Sequence, residues 1–256
     1  EYNNTGLATQ VQKSSVATPI YNFKSLAEVI VSNSPEKQRS RIRTSLDKYK
    51  NSRIPRLVTA AVDSLKADSS PDLLKFTSSL LSGWIAYHEL DDIIDKTPYE
   101  QLLSDPESYK KPAHIELLKS TSLKIIKQVA LSYKQNIESS FEHTDEYYKW
   151  EISHLRFDPS KDPVGNLLLE TEVNYGYILD RIKALSDEMR ILCEILGKSE
   201  YDYYLVSAIE HLSVIQQMND DAHDWEEDLQ AGVYTYTNLS LIRLVKEQAP
   251  QVLKLP

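Results

Sequence analysis

Two clusters of acidic residues have the types and spacing needed to bind metal ions. The first reads DDIID at residues 91–95, with Asp91 and Asp95 four residues apart and Asp92 three residues before Asp95. On a helix, these spacings place the carboxylates on one face, where each like-charged pair costs about 0.2–0.5 kcal/mol. A bound divalent cation would turn that repulsion into attraction, so the cluster predicts a cation site.

The second cluster is denser and reads NDDAHDWEED at residues 219–228. On a helix, its oxygen donors fall on two adjacent stripes. One stripe consists of Asp220, Asp224 and Asp228, and the other consists of Asn219, His223 and Glu227. We favour Asp220 and Asp224 as ligands because both are hard oxygen donors, and the second stripe is the alternative. Carboxylates without cysteine match Mg²⁺ better than a softer metal.

Helices must position both clusters, because the composition favours an all-α fold. Glycine is scarce, at 6 of 256 residues, and long stretches lack turn dipeptides. The first cluster ends an apolar helix that begins at Ser70 and Pro71, a capping residue followed by proline at the first helical position. The second cluster follows an apolar stretch over 205–215, which predicts a buried helix. We further expect one helix over 114–141 and a separate one over 144–155.

Length and composition indicate the domain organisation and exclude some partners. A chain of 256 residues, 41% of them hydrophobic, can bury one core. We therefore expect a flexible arm over 1–20 and a single α-helical catalytic domain over 21–256. The net charge of −9 argues against nucleic-acid binding. No apolar run approaches the roughly 20 residues of a membrane span, and no targeting segment is visible, so we expect a soluble protein of the cytoplasm or an organelle lumen.

The clusters and their flanking residues resemble the aspartate-rich motifs of the trans-isoprenyl diphosphate synthase and class I terpene cyclase superfamily. YHELDDIID at 87–95 looks like the first motif, and QQMNDDAHD at 216–224 looks like the second, which commonly reads Q-x-x-D-D-x-x-D. KNSRIPRL at 50–57 is similar to the family's G-K-x-x-R-P stretch. The resemblance implies an isoprenoid-synthase-type helical bundle around a central cavity. In that cavity three Mg²⁺ ions, or Mn²⁺ in their place, would bind the diphosphate of an allylic prenyl substrate.

The resemblance also implies roles for individual residues of this chain. The metal ligands that it implies are Asp91, Asp92, Asp95, Asn219, Asp220, Asp224 and Glu227. The basic residues that it implies for diphosphate binding are Arg181, Lys183, Arg53 and Arg56. Arg181 is preferred among them as the diphosphate sensor. The residues expected to line the cavity are Trp84, Tyr87 and Tyr175, and those expected to act in catalysis are Arg181 and Tyr177.

Departures from the family pattern favour one activity within it. Chain-elongating members follow the first motif with Arg-Arg-Gly, whereas this chain has Lys96, Thr97 and Pro98. The expected function is therefore a terpene cyclase, in which the substrate's own alkene captures the allylic cation. The alternatives are a prenyltransferase, with isopentenyl diphosphate or an amine or amino acid as acceptor, and an inactive regulatory subunit of a prenyl synthase. Because family members are often dimers and usually continue beyond the second motif, a homodimer and further C-terminal helices are also expectations.

Overall fold

The computed structural model describes residues 21–65, 68–97, 101–102, 112–156 and 176–248. Within these ranges the chain is almost entirely helical, and its sole β-type contact is an isolated antiparallel bridge between Arg156 and Val233. The predicted all-α class is confirmed for this part of the chain, whereas the isoprenoid-synthase-type bundle remains a prediction. The expected arm over 1–20 lies outside the described residues.

Ten α-helices follow one another along the described residues. They are α1 (Phe23–Asn33), α2 (Arg39–Tyr49), α3 (Arg53–Ser64), α4 (Pro71–Lys96), α5 (Ala113–Val129), α6 (Lys134–His154), α7 (Gly176–Arg181), α8 (Lys183–Ile195), α9 (Asp202–Gln230) and α10 (Tyr236–Gln248). Side chains from α1 to α6 and from α8 form the main hydrophobic core. Among the helices described, none is both long and apolar enough to cross a membrane.

Helix α4 is the central element, and it begins where the sequence predicts. The Ser70 side chain accepts a hydrogen bond from the Leu73 backbone N–H at 3.1 Å, and Pro71 occupies the first turn. Most of the helix is buried, including its serine residues. The Ser79 hydroxyl lies 2.8 Å from that of Ser122 on α5, which is possible because such small side chains allow the two helices to approach closely. The helix therefore holds the first acidic cluster on a rigid, packed support.

The segment after α4 divides differently from the prediction. The expected helix over 114–141 is wrong, because the backbone leaves the helical conformation at Ala130, with φ −150° and ψ 55°. A short 3-10 turn over Leu131–Tyr133 then leads into α6. Helix α6 continues through the region where the sequence predicted a new start, and the Thr144 hydroxyl there donates to the Ser140 carbonyl at 3.1 Å. The break expected near 142–143 is therefore absent, and a break that the sequence did not predict lies at 130–133.

Helix α9 corrects a second expectation. The apolar stretch over 205–215 predicted a buried helix, but within α9 only Val206 and Asp221 are buried. Leu212 and Ile215 expose 39% and 63% of their surface. The helix packs against α7 and α8 and, near its end, against α10. The apolar residues over 205–215 therefore belong to a peripheral helix that has one contact face and leaves part of its apolar surface exposed.

Candidate functional site

A cavity of about 430 Å³ lies beside the carboxyl-terminal half of α4. Its walls come from the region joining α2 to α3 and from α4, α6, α7, α8 and α9. Asp91, Asp92 and Asp95 of the first cluster all line it, and so does Asp220 of the second cluster. The two acidic clusters therefore reach one shared cavity, although they are far apart in the sequence.

Several other predicted residues line the same cavity. Arg53 and Arg181 contribute basic groups, and Trp84 and Tyr87 contribute aromatic walls. Tyr87 is buried, its hydroxyl donates to the Phe141 carbonyl at 2.8 Å, and its ring stacks on that of Tyr148 at 6.2 Å. The ring of Tyr87 is thereby fixed in orientation.

The remaining predicted residues lie elsewhere. Those that expose their side chains to solvent and do not line the cavity are Arg56, Asn219, Asp224 and Glu227. Lys183 belongs to a different cleft, where its ammonium group donates to Asp187 at 2.7 Å. Tyr175 lies outside the described residues, as does the side chain of Tyr177. Helical geometry explains the placement of the second cluster, because residues on the stripe around Asn219 and Glu227 face outward from α9.

Asp91 forms an ion pair with Arg181 at the base of the cavity. Arg181 also donates a 3.0 Å hydrogen bond to the Gln217 side chain on α9, and its guanidinium carbon lies 5.8 Å from the centre of the Tyr148 ring. Burial raises the pKa of Asp91 to about 7, although the neighbouring Arg181 opposes this rise. Arg181 therefore links α4 to α9, through its ion pair with Asp91 and its hydrogen bond to Gln217.

Asp92 lies nearer to the cavity mouth and has different partners. Lys48 forms an ion pair with it, and the Tyr49 hydroxyl donates to it at 3.1 Å. Lys96 is more distant, at 4.0 Å. Partial burial acts to raise the pKa of Asp92, but the hydrogen bonds from Lys48 and Tyr49 and the charges of Lys48 and Lys96 together outweigh it, so the pKa lies below the ordinary value. Asp92 is therefore an ionised carboxylate at neutral pH.

Asp95 pairs with a residue that the sequence analysis missed. An Arg156 guanidinium nitrogen donates to Asp95 at 2.6 Å, and the same nitrogen lies 3.9 Å from Glu151. No local pattern could have identified Arg156, because it is 61 residues from Asp95 in the sequence. Each aspartate of the first cluster therefore has its own basic partner.

The inward face of α9 also includes Asp221, which belongs to neither predicted stripe. Gln217 donates to Asp221 at 2.7 Å, and Asp221 is only 2% exposed. Asp228 lies two turns further on, where burial and then the charges of Asp221 and Asp95 raise its pKa to about 7. The four-residue spacing of Gln217 and Asp221 was visible in the sequence, but the prediction favoured Asp220 and Asp224 because both are hard oxygen donors.

His88 is a further cavity residue that the prediction did not select, although it belongs to the first motif. Its side chain lines the cavity and stays accessible from it, while the cavity walls surround the ring. Burial among these walls, and then the charge of Arg181, lower the pKa of His88 to about 4. The imidazole is therefore neutral at physiological pH and adds no positive charge to the site.

The donor chemistry of the cavity fits a hard cation such as Mg²⁺. Four carboxylates and no thiol line it. Within the described ranges, however, no three His, Cys, Asp or Glu side chains are grouped closely enough to hold an ion. The aspartates of α4 are bound by basic side chains instead, so metal binding requires some of these ion pairs to exchange.

The fold and the site together define a class: an all-α protein with an acidic cavity that has basic and aromatic walls. Comparison of the chain with protein-family models, with curated proteins and with solved structures gave no match. The resemblance to the terpene cyclase superfamily therefore rests on the sequence motifs and remains a prediction.

Proposed function

We propose that this protein ionises an allylic prenyl diphosphate in the cavity beside α4 and cyclises the resulting cation, in a Mg²⁺-dependent reaction of the class I type. One observation supports this proposal above all others. Carboxylates from both acidic clusters line the same cavity as Arg181 and Trp84. A diphosphate binder needs the charged groups, and an allylic cation needs the aromatic wall.

Asp91, Asp92 and Asp220 would hold the Mg²⁺ ions, because all three line the cavity with hard oxygen donors. Bound Mg²⁺ would neutralise the diphosphate and stabilise the departing pyrophosphate. Arg53 and Arg181 face the same space and would donate hydrogen bonds to phosphate oxygens, for which the planar guanidinium is well suited. These groups provide charge where the carbon–oxygen bond of the substrate breaks.

The aromatic residues would act on the hydrocarbon part of the substrate. Trp84, Tyr87 and Tyr148 line the cavity, and the face of an aromatic ring stabilises a nearby cation by about 0.5–2 kcal/mol. Ile178 and Leu185 extend the apolar wall and would exclude water that could quench the cation. The volume of about 430 Å³ lies in the range of roughly 300–1,000 Å³ that is usual for small-molecule sites.

Cyclisation is favoured over chain elongation by the surroundings of α4. A second diphosphate substrate would need its own basic groups beside the first motif. Lys96, at the position of the family's arginine pair, does not line the cavity and exposes 77% of its side chain. The basic groups that line the cavity among the described residues are Arg53, Arg181 and the neutral His88. One diphosphate therefore fits the available charge better than two.

A second candidate function is a regulatory subunit without catalysis. It is favoured by the ion pairs that occupy each aspartate of the first cluster, formed with Arg181, Lys48 and Arg156. A chain that never binds metal would keep such pairs permanently as structural contacts. The two candidates differ in whether divalent cations and a diphosphate displace these pairs.

Incubation with Mg²⁺ and geranyl, farnesyl or geranylgeranyl diphosphate separates the candidates, with released pyrophosphate and organic products as the readouts. Cyclic hydrocarbons or alcohols from one substrate alone would support the cyclase. Product formation only after addition of isopentenyl diphosphate or an amine would indicate a prenyltransferase. Asp91→Asn should abolish release, and Asp47→Asn is the matched control because Asp47 is exposed on α2. A folded protein that releases no pyrophosphate under any of these conditions would rule out the proposed catalysis.

A further inference from the structure

Arg156 differs from the two other basic partners of the first cluster because it is buried. Only 2% of its side chain is exposed, compared with 50% for Lys48 and 17% for Arg181. Arg181 lines the cavity and can turn towards a ligand there, whereas Arg156 is not among the cavity-lining residues. Lys48 is long, flexible and solvated, so that a competing cation can displace it readily.

The backbone around Arg156 is also fixed. Arg156 forms the isolated bridge with Val233, and the Tyr234 N–H donates to the Leu155 carbonyl at 2.7 Å. These contacts attach the end of α6 to the turn between α9 and α10. The backbone of Arg156 is therefore held beside the turn that follows α9, while its guanidinium reaches Asp95 near the end of α4.

Two carboxylates lie beside this one cation. Arg156 donates to Asp95 at 2.6 Å and lies 3.9 Å from Glu151. Within the described part of the chain, the Arg156 Nε and one Glu151 carboxylate oxygen are buried without a hydrogen-bond partner. One buried guanidinium therefore faces Asp95 and Glu151, at a position where the acidic motif would otherwise present Asp95 to a cation.

We propose that Arg156 is a built-in cation that occupies the place of a metal ion beside Asp95. The chain would then bind fewer divalent ions than the three implied by its family resemblance, and Asp95 would not be a metal ligand. This inference rests on the proposed function in taking the cavity to be a metal-dependent diphosphate site. Arg156 is accordingly a positioning residue, because it would act on Asp95 and not on the substrate.

The test counts the Mn²⁺ ions bound per chain in the presence of inorganic pyrophosphate, from the free Mn²⁺ signal in electron paramagnetic resonance. We expect Arg156→Gln to bind one more Mn²⁺ than the wild type. Arg156→Lys retains the positive charge and should match the wild type. A purely structural role for Arg156 would lower stability in both variants and leave the number of bound ions unchanged.

A second pair of variants keeps the test decisive if Arg156→Gln fails to fold. Asp95 is 56% exposed, so Asp95→Asn is readily accommodated. It should bind as many Mn²⁺ ions as the wild type, whereas Asp91→Asn should bind fewer. Equal ion counts in the wild type and folded Arg156→Gln, or a loss of one ion in Asp95→Asn, would overturn the inference. If the wild type binds no Mn²⁺, the proposed function is contradicted. In that case, Mn²⁺ binding by Arg156→Gln would still support the role of Arg156, so the two failures are distinguishable.

Discussion

Removing Arg181 should destabilise the metal-free protein strongly, because it leaves Asp91 without its ion-pair partner. The two side chains are 17% and 20% exposed, so neither charge is well solvated after its partner is lost. Breaking a buried ion pair by removing one partner costs about 3–5 kcal/mol. The partial exposure of this pair reduces that range, and we expect Arg181→Met to lower the free energy of unfolding by about 2–4 kcal/mol.

The double variant Asp91→Asn/Arg181→Met tests the physical reason for this loss. Both charges are then absent, so the cost should be smaller than the sum of the single costs by at least about 1–2 kcal/mol. Urea unfolding in the presence of EDTA, followed by circular dichroism, measures all four proteins without interference from metal ions. Arg43→Met is the control, because Arg43 is exposed on α2, and it should change stability by less than about 0.5 kcal/mol. Additive costs of the two single substitutions would refute the ion pair.

Three further predictions concern the core that supports the site. Glu188 is only 1% exposed, and its burial and then the charge of Asp187 raise its pKa. The folded protein therefore keeps a proton on Glu188 at pH values where the unfolded chain has already released it. As the pH rises from 5 to 8, the wild type should therefore lose more stability than Glu188→Gln. Urea unfolding of both proteins at the two pH values measures this, and an equal loss in the two proteins would contradict it. Tyr87→Phe removes the hydroxyl hydrogen bond to the Phe141 carbonyl, which keeps its helical N–H donor, so the cost should be about 0.5–1.5 kcal/mol; an unchanged midpoint of thermal unfolding would show that this hydrogen bond does not stabilise the fold. A Cβ atom at Gly83 would lie 3.1 Å from the Phe141 ring, so Gly83→Leu should lower the free energy of unfolding in urea by about 1–3 kcal/mol or more. An unchanged free energy would show that α4 and α6 are not tightly packed there.

The sequence was sufficient to predict the helical class and the start of the central helix. Ser70 and Pro71 determine that start through local hydrogen bonding and a fixed backbone angle, and such effects need no knowledge of the rest of the fold. The meeting of Asp91 and Asp220 at one cavity also agrees with the expectation from the paired clusters. These features depend on short-range spacing, or on the tendency of like charges to mark a functional site.

The features that the sequence did not reveal depend on distant contacts. The orientation of α9 is determined by the helices packed on one of its sides, so Asp221 faces inward while Asp224 faces solvent. Arg156 gains its role from Asp95, which lies on another helix. The break at Ala130 follows from how α5 and α6 pack on the core, because alanine itself favours a helix.

The serine contacts between α4 and α5 have a consequence for the evolution of the site. Ser79 and Ser82 of α4 donate to the α5 backbone carbonyls of Ser122 and Leu118, at 3.1 and 2.8 Å. A larger residue at either position would push the two helix axes apart and tilt the long helix that ends in the acidic motif. Selection for activity would therefore extend to small side chains more than two turns away from Asp91, the first aspartate of that motif, and a change at one of them could alter catalysis while every reacting group remained intact.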